Sequence, residues 1–278
     1  MRKILVKKIE NMVAELCILA NLNLRKDVLA GLKAARLKEK NNQAKSLISV
    51  IIQNALIAKK EKRAICQDTG MPCVFVEIGQ KAYVAGDLKA AINKGVETGY
   101  KKGFLRNSIV HNPLVRQSPR YLPPVIHIDI VKGNKLKLTV LPKGFGCENK
   151  AQLKMFKPTA KISEIKNFIV EVVKSAGPDA CPPYVVGVGI GGTADYAAFL
   201  AKKALLRRVE NRKPKTENQK FADDVLRAIN KLNIGPMGLG GKTTALALNL
   251  ETYPTHIAGL PVAVNISCHA LRSAAAVI

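Results

Sequence analysis

One run of residues, Tyr184–Arg208, constrains the fold more than any other part of the chain. It opens with "YVVGVGIGG", an unbroken apolar stretch of the kind that forms a strand buried on both faces. A glycine-rich turn follows, and "ADYAAFLAKKALLRR" then carries apolar residues at helical spacing. A buried strand that leads through a turn into a helix predicts a mixed α/β protein.

The rest of the chain supports this fold class. Residues 1–62 carry three helical patterns and predict a helical N-terminal part, which an α/β part follows. Helical patterns recur in "DLKAAINKGVETGYKKG" and "ISEIKNFIVEVVKSAG", and "CVFVEIG" and "PVAVNIS" are predicted strands. The clearest predicted β-hairpin is "VIHIDIVKGNKLKLTVLP", in which two alternating runs flank Gly133-Asn134. A charged surface connection is expected at "NRKPKTENQK". With no internal repeat or low-complexity linker, we expect a single domain over residues 1–278.

The segment "GPMGLGGKTTAL" resembles a phosphate-binding loop, since glycines, a lysine and a threonine are what such a loop uses. However, the Walker pattern needs a glycine where this chain has Pro236, five positions before Gly241. The preceding "DVLRAINKLNI" predicts an amphipathic helix where a strand is required. Both differences count against an NTPase.

A second glycine-rich turn, "GVGIGGTAD", has the strand–turn–helix order of a dinucleotide-binding fold. Its glycines, Gly187, Gly189 and Gly192, are followed by no acidic residue at the end of a second strand, which that fold requires. The alternative is a tight turn whose amides point at an anion.

The charge of the chain is strongly positive. There are 45 Lys and Arg residues against 20 Asp and Glu, a formal net charge of +25. Such an excess makes nucleic-acid binding an option. A generally basic surface from a lysine-rich proteome, an acidic partner or an anionic substrate explains the charge as well. The lysines are spread over nearly every predicted helix, no helix-turn-helix or zinc-finger pattern is present, and aromatics at 5% are too few for a base-stacking platform. No secretory signal or membrane-spanning run is evident, so we expect a cytoplasmic protein that contacts no membrane.

The six cysteines differ in their surroundings. Cys17 lies on the apolar side of a predicted helix and is expected to be core. In contrast, Cys66, Cys181 and Cys268 stand in the turn-like segments "ICQDTG", "ACPPY" and "SCHA", which suit metal-binding thiolates. Their spacing is too wide for a compact zinc or ferredoxin motif, so the spacing alone leaves a metal site open.

Several segments, taken together, carry a resemblance to a known family. "CQDTGMP", "GCENK", "CPPYVVGVGIGGT", "IGPMGLGGKTTALAL" and "ETYPTHIAGLPVAVNISCHA" follow one another between Cys66 and Ala270. In this order they resemble the α-subunit, or N-terminal iron–sulfur domain, of class I fumarate hydratases, a family that includes the L-tartrate dehydratase α-subunit. The resemblance outweighs both nucleotide-binding interpretations.

The resemblance implies a hydro-lyase with a 4Fe–4S cluster in an α/β cluster-binding domain. The cluster ligands would be Cys66, Cys181 and Cys268, and not Cys73 or Cys147. Three protein thiolates leave one iron open, so that it can act as a Lewis acid toward a substrate hydroxyl. An electron-transfer cluster would want a fourth cysteine. The two glycine-rich turns would then be packing and amide-donating loops around the anionic cluster and substrate.

The resemblance also implies a set of substrate-binding residues. Gln67 and Asp68 match a substrate-contacting pair, with Asp68 a candidate for proton transfer, although Asp68 could instead only cap the next turn. Arg106 matches an arginine that binds a substrate carboxylate. The glycines of "KGFGCENK", Gly144 and Gly146, match a loop near the substrate. The motif-adjacent histidines, His111 and His269, rank second because a lone histidine is more often structural.

The preferred hypothesis is the α-subunit of a fumarate hydratase that interconverts (S)-malate and fumarate. The first alternative is an L-tartrate dehydratase α-subunit, and a basic nucleic-acid-binding protein is the alternative from another class. Related chains usually carry an Asn-Thr-Gly-Asp-Asn-like segment where this one has "RQSPRYLPP", and serine where it has Cys147. Since the family's site also draws residues from a β-type domain and this chain ends at Ile278, we expect a separate β-subunit.

Overall fold

The computed structural model describes residues 2–209 and 216–278. By its internal contacts the chain divides into two compact units. The first unit comprises Met1–Arg25, Ala55–Phe145 and Arg272–Ile278, and the second comprises Lys26–Asn54 and Gly146–Leu271. The expectation of a single domain over residues 1–278 stays a prediction. The predicted surface connection over residues 211–220 lies for its first half outside the described residues.

Helices and strands are interspersed along the chain. The helices are α1 (Val6–Leu22), α2 (Lys26–Lys38), α3 (Asn42–Glu61), α4 (Leu88–Lys102), α5 (Phe145–Glu148), α6 (Ile162–Ala176), α7 (Ala194–Ala204) and α8 (Glu217–Asn230), with a short 3₁₀ turn at Pro236–Gly238. The strands are β1 (Arg2–Leu5), β2 (Met71–Gly79), β3 (Ala82–Ala85), β4 (Val125–Val131), β5 (Leu136–Lys143), β6 (Gln152–Phe156), β7 (Tyr184–Gly192), β8 (Ala245–Thr255), β9 (Leu260–Ser267) and β10 (Ala274–Val277). The predicted mixed α/β class is confirmed.

The first unit is built on a four-stranded sheet in the order β10-β5-β2-β4. Strand β5 is antiparallel to both β10 and β2, and β2 is parallel to β4. Helices α1 and α4 cover this sheet, with Val13, Ile92 and Leu138 fully buried in one shared core. A short parallel pair, β1 with β3, adjoins them.

The predicted hairpin over Val125–Pro142 is wrong in its pairing. Both of its strands form, but β2 lies between them and pairs with each. The connecting residues cross the end of β2, where Gly79 N donates to Lys135 O at 2.8 Å and Lys81 N donates to Gly133 O at 2.8 Å. An alternating pattern fixes where strands lie but not which strands pair. Strand β2 is apolar and buried along most of its length, and such a strand is stabilised by a partner on each edge.

The second unit repeats the same sequence of strand orientations in the order β6-β9-β7-β8. Strand β9 is antiparallel to β6 and β7, and β7 is parallel to β8. Its core includes Ile169 of α6, Val225 of α8 and Val264 of β9. No helix within the described ranges is long and apolar enough to cross a membrane.

The glycines of β7 serve close packing. A Cβ atom on Gly187 would lie 2.2 Å from Ala201 O, and one on Gly189 would lie 2.2 Å from Ala197 O. Both oxygens belong to α7, so glycine is what lets this helix lie directly on the strand. The glycine pattern that resembles a dinucleotide-binding turn is therefore explained by strand–helix contact.

Most predicted elements are confirmed, and five strands, β1, β3, β6, β8 and β10, were not predicted. The helical patterns correspond to α1 to α4, α6, α7 and α8, and "CVFVEIG", "YVVGVGIGG" and "PVAVNIS" correspond to β2, β7 and β9. Strand β1 lies within the part predicted as wholly helical, because four residues are too few to show a period. Strand β8 was missed because its apolar residues continue into the polar segment "NLETYPT".

Candidate active site

The segment Cys66–Gly70 forms a bend between α3 and β2 in the first unit. Cys66 is partly exposed and Gln67 is exposed, with Cys66 Sγ 3.4 Å from Gln67 Oε1. Gly70 ends the bend with φ of 74°, and a Cβ atom there would lie 2.7 Å from the main chain at Pro142. Glycine is therefore required at this position for both conformation and space.

Both carboxylate oxygens of Asp68 accept hydrogen bonds from main-chain amides. Gly70 N donates to Oδ1 at 2.9 Å, and Phe145 N donates to Oδ2 at 2.8 Å. Gly144 lies against the same oxygen, since a Cβ atom on it would be 3.1 Å from Oδ2. The structure thus brings Asp68 and Gly144 together, and the turn-capping contact to Gly70 is present. Each oxygen keeps a second lone pair that can accept a further hydrogen bond.

Arg106 is tied to the same bend through its main chain. Its N–H donates to Thr69 Oγ1 at 3.0 Å, and Thr69 is only 3% exposed. The Arg106 side chain is exposed, and none of the described residues forms an ion pair or hydrogen bond with its guanidinium group. A guanidinium group in this setting is available to bind a carboxylate in two parallel hydrogen bonds.

A cavity of about 590 Å³ adjoins the loop that follows Arg106. Its lining includes three basic or imidazole side chains, Lys101, His111 and Arg120, together with Asn107. The loop is closed by paired main-chain hydrogen bonds between Ile109 and Arg120. The single carboxylate of the lining, that of Glu97, is bound by Lys101 at 2.6 Å. The cavity therefore presents uncompensated positive charge at Arg120, which suits an anion.

In the second unit, a main-chain hydrogen bond joins the turn that carries Cys181 to the turn that carries Cys268. His269 N, one residue after Cys268, donates to Cys181 O at 3.3 Å. Cys181 itself has a φ of 56° and lies in a turn that Pro178 O closes by accepting from Cys181 N at 3.1 Å. Cys147 Sγ lies 3.3 Å from Ala180 O and so contacts the peptide that precedes Cys181.

Exposure separates the six cysteines into two groups of three. All six are thiols. The buried ones are Cys17, Cys73 and Cys147, and the partly exposed ones are Cys66, Cys181 and Cys268. Burial raises the pKa of the Cys17 thiol to about 12, which makes it a poor metal ligand. The three partly exposed thiols match, in number and in ligand atom, the ligands of an iron–sulfur cluster with one open iron.

The predicted site residues are divided between the two units. Cys66, Gln67, Asp68, Arg106 and Gly144 belong to the first, and Gly146, Cys181 and Cys268 belong to the second. Within residues 2–209 and 216–278, no group of three or more His, Cys, Asp or Glu side chains is close enough to bind a metal ion. Of the two histidines ranked second, His111 lines the cavity, and His269 contacts Cys181 through its main chain.

Comparison with known proteins identifies the relatives of the chain. The family described as fumarate hydratase (Fumerase) matches residues 10–277. A Methanocaldococcus jannaschii protein, provisionally named L(+)-tartrate dehydratase subunit alpha, is 40% identical over 275 residues, which are 96% of each chain. The L(+)-tartrate dehydratase subunit alpha of Escherichia coli strain UTI89 is 30% identical over 274 residues, 96% of this chain and 89% of the relative. The subunit of the same name from strain K12 is 29% identical over the same shares.

Proposed function

Because the chain belongs to the fumarate hydratase (Fumerase) family, we propose that it is the alpha-type subunit of a hydro-lyase that removes water from a hydroxy dicarboxylate. The observation that carries this proposal is the exposure of the cysteines: the three implied cluster ligands, Cys66, Cys181 and Cys268, are partly exposed and the other three are buried. Removing water from such a substrate breaks a C–O bond and a C–H bond on neighbouring carbons. The site therefore needs an electrophile at the hydroxyl, a base at the carbon and cations for the carboxylates.

We assign L(+)-tartrate as the first substrate to test. The relatives aligned above carry names that refer to this substrate. Loss of water from tartrate gives an enol that tautomerises to a keto dicarboxylate. The family description favours (S)-malate and fumarate as the second candidate. Tartrate differs from malate by one additional hydroxyl group, and a buried site built to bind that group would discriminate strongly against malate.

The cluster ligands in this proposal are Cys66, Cys181 and Cys268. When bound, a cluster held by three thiolates supplies one open iron that polarises the leaving hydroxyl. Cys73 and Cys147 are buried and are not assigned as ligands. Cys147 instead holds the peptide before Cys181 through Ala180 O.

The substrate is assigned to the residues of the Cys66–Gly70 bend and the Arg106 loop. Asp68 holds or moves the substrate proton through the lone pairs that its amide contacts leave available. Gln67 is exposed beside it and can orient a hydroxyl or a carboxylate. Arg106 binds a carboxylate with its exposed guanidinium group. Gly144 and Gly146 let the main chain approach the substrate closely.

The partner in this proposal is a separate beta-type subunit, since the relatives are named as alpha subunits. The net charge of +25 suits contact with an acidic partner and attraction of a dianionic substrate. Both effects weaken with salt. RNA binding without dehydratase activity would instead favour the basic nucleic-acid-binding alternative.

The test is an assay of the chain, produced and purified without oxygen, alone and together with its beta-type partner. We expect the complex to dehydrate L(+)-tartrate faster than (S)-malate, and the chain alone to show little turnover. Faster turnover of (S)-malate would replace the first substrate by the second. Activity toward neither substrate, in a complex with full iron content, would overturn the proposal.

A further inference from the structure

A buried arginine that the sequence motifs did not single out contacts the Cys66–Gly70 bend. Arg272 lies in the first unit, is only 4% exposed, and donates from Nη2 to the main-chain oxygen of Asp68. Among the described residues, its buried Nε has no hydrogen-bond partner and no carboxylate forms an ion pair with it. Placing a guanidinium group in such surroundings is costly. Burial of the Arg272 guanidinium group therefore lowers the stability of the fold, and the contact with the Asp68 carbonyl is kept in spite of it.

A second buried donor lies within hydrogen-bonding distance of the next two carbonyl groups of the same bend. Tyr100 on α4 is 1% exposed, and its hydroxyl oxygen lies 3.0 Å from Thr69 O and 3.0 Å from Gly70 O. Burial raises the pKa of Tyr100 far above its usual value, so the hydroxyl stays protonated and remains a donor. The carbonyl groups of residues 68 to 70 thus face two buried donors, and those of Thr69 and Gly70 share the single hydroxyl proton of Tyr100.

The polar groups on the other side of the bend are held as well. Gly70 N and Phe145 N bind the Asp68 carboxylate, and Thr69 Oγ1 accepts from Arg106 N. The bend is consequently fixed at three carbonyls, one carboxylate and one hydroxyl. A displacement of the Asp68 carbonyl would move the Asp68 side chain and, through Thr69, the start of the Arg106 loop.

We propose that Arg272 is a positioning residue for the hydro-lyase reaction. By binding the Asp68 carbonyl, Arg272 holds the Asp68 carboxylate and the Arg106 main chain in the geometry that the substrate requires. This inference rests on the proposed function, because it takes Asp68 and Arg106 to be the groups that contact substrate. The rate of a reaction falls steeply when a catalytic group is displaced by even about 1 Å.

The experiment compares Arg272→Met and Arg272→Lys in the complex with the beta-type subunit. Methionine has a similar length but leaves the Asp68 carbonyl without its donor, whereas lysine restores one donor. We expect Arg272→Met to lower kcat about 10- to 100-fold, with a smaller change in KM and with unchanged iron content. Arg272→Lys should recover part of the lost kcat. A merely structural role would lower the melting temperature of both variants without this graded change in kcat.

The matched control is Arg207→Met. Arg207 also donates a guanidinium hydrogen bond to a main-chain carbonyl, that of Leu250 at 3.0 Å, but it lies in the second unit. We expect its kcat and KM to match those of the unchanged complex. If Arg272→Met does not assemble, the decision rests on Arg272→Lys and Tyr100→Phe. Tyr100→Phe keeps the ring and removes only the hydroxyl.

A readout that does not depend on turnover separates this inference from the proposed function. Amide hydrogen exchange of a peptide spanning residues 66–72 should be faster in Arg272→Met than in the unchanged complex, and unaltered in Arg207→Met. Faster exchange together with an unchanged complex that turns over neither substrate would show that Arg272 holds the bend, but would reject the proposed function and with it a role of Arg272 in the hydro-lyase reaction. Unchanged exchange, or unchanged kcat in an active complex, would overturn the positioning role.

Discussion

Glu39 Oε2 accepts a hydrogen bond from Lys242 N at 2.7 Å. A carboxylate of the same chain therefore binds an amide of "GPMGLGGKTTAL", the loop that resembles a phosphate-binding loop. Glu39 is 5% exposed, and its other oxygen accepts from Lys40 N and Asn41 N. All of these residues belong to the second unit. The loop presents an amide to an anion, as in nucleotide-binding proteins, but the anion is a side chain of the chain itself.

The first prediction concerns the stability that this carboxylate contributes. Replacing Glu39 by alanine leaves three main-chain N–H groups without their acceptor, and we expect the loss of about 2–4 kcal/mol of unfolding free energy. The measurement is denaturant-induced unfolding of Glu39→Ala beside the unchanged chain. Glu171→Ala is the control, since the Glu171 side chain is 67% exposed and its carboxylate lies 3.7 Å from the Lys174 ammonium group. Equal unfolding midpoints for the two variants would contradict the role given to Glu39.

The second prediction concerns iron binding by the partly exposed cysteines. We expect Cys66→Ser, Cys181→Ser and Cys268→Ser each to lose most of the iron after reconstitution without oxygen, since a serine oxygen is a poorer ligand for iron than a thiolate. Cys17→Ser is the control, because Cys17 is fully buried in the core of the first unit. Iron and sulfide content are measured on folded protein. The same content in all four variants would remove the cluster assignment.

The third prediction follows from the pKa of Cys17. Burial raises this pKa from 9.0 to about 12, so the folded chain keeps the thiol protonated where the unfolded chain loses its proton. The contribution of Cys17 to stability is therefore fully present below pH 9 and is lost as pH rises toward 12. We expect the unfolding free energy of the unchanged chain to fall more steeply over this window than that of Cys17→Ala. Parallel pH dependences would show that burial does not hold the thiol protonated.

The sequence predicts the position of most helices and strands, but it does not predict which strands pair or which groups accept from a loop. The apolar pattern of a segment records which of its faces are buried: a continuous apolar run located β7, and helical spacing located α6. It carries no record of strand partners, so the hairpin of β4 with β5 was predicted although β2 lies between them. The same limit applies to the glycine-rich loop, where the sequence shows a capacity to donate amides but not that Glu39 accepts from them.

For the candidate site, motif resemblance pointed to residues on the bend but not to those that hold it. Asp68 lies in the quoted motif "CQDTGMP", and Arg106 was singled out as the match to the family's carboxylate-binding arginine. Arg272 and Tyr100 reach the bend from 204 and about 30 residues away in the chain. A buried arginine four positions after Cys268 looks in sequence like any other arginine. Only the fold shows that its guanidinium group contacts the Asp68 carbonyl.

The fourth prediction tests the packing role of the β7 glycines. Gly187→Ala places a methyl group 2.2 Å from Ala201 O of α7, which neither main chain can accommodate without moving. We expect a loss of about 1–3 kcal/mol or more of unfolding free energy. Gly259→Ala is the control, since its added methyl group would meet only Met155 Cε at 3.8 Å. A Gly187→Ala variant as stable as this control would contradict the packing role and favour the alternative, in which the turn donates its amides to an anion.

The fifth prediction separates the two roles of Asp68. In Asp68→Asn one oxygen becomes an NH₂ group, and that group then faces either Gly70 N or Phe145 N, both of which are donors. The variant should therefore lose about 1–3 kcal/mol of stability even if the carboxylate takes no part in the reaction. A carboxylate that also moves a proton contributes more to the rate, and its removal should lower kcat of the complex about 100- to 10,000-fold.

The loss of stability and the loss of rate are distinguished by measuring both on folded, iron-loaded protein. Asp179→Asn is the matched control, because the exposed Asp179 carboxylate binds Lys150 at 2.8 Å and no main-chain amide of the bend. We expect that control to keep both its melting temperature and its kcat. A fall in kcat below about 10-fold in Asp68→Asn, together with the lower melting temperature, would leave Asp68 as a cap of the bend, because a general acid or base is worth more than that. The proton would then have to be moved by another group.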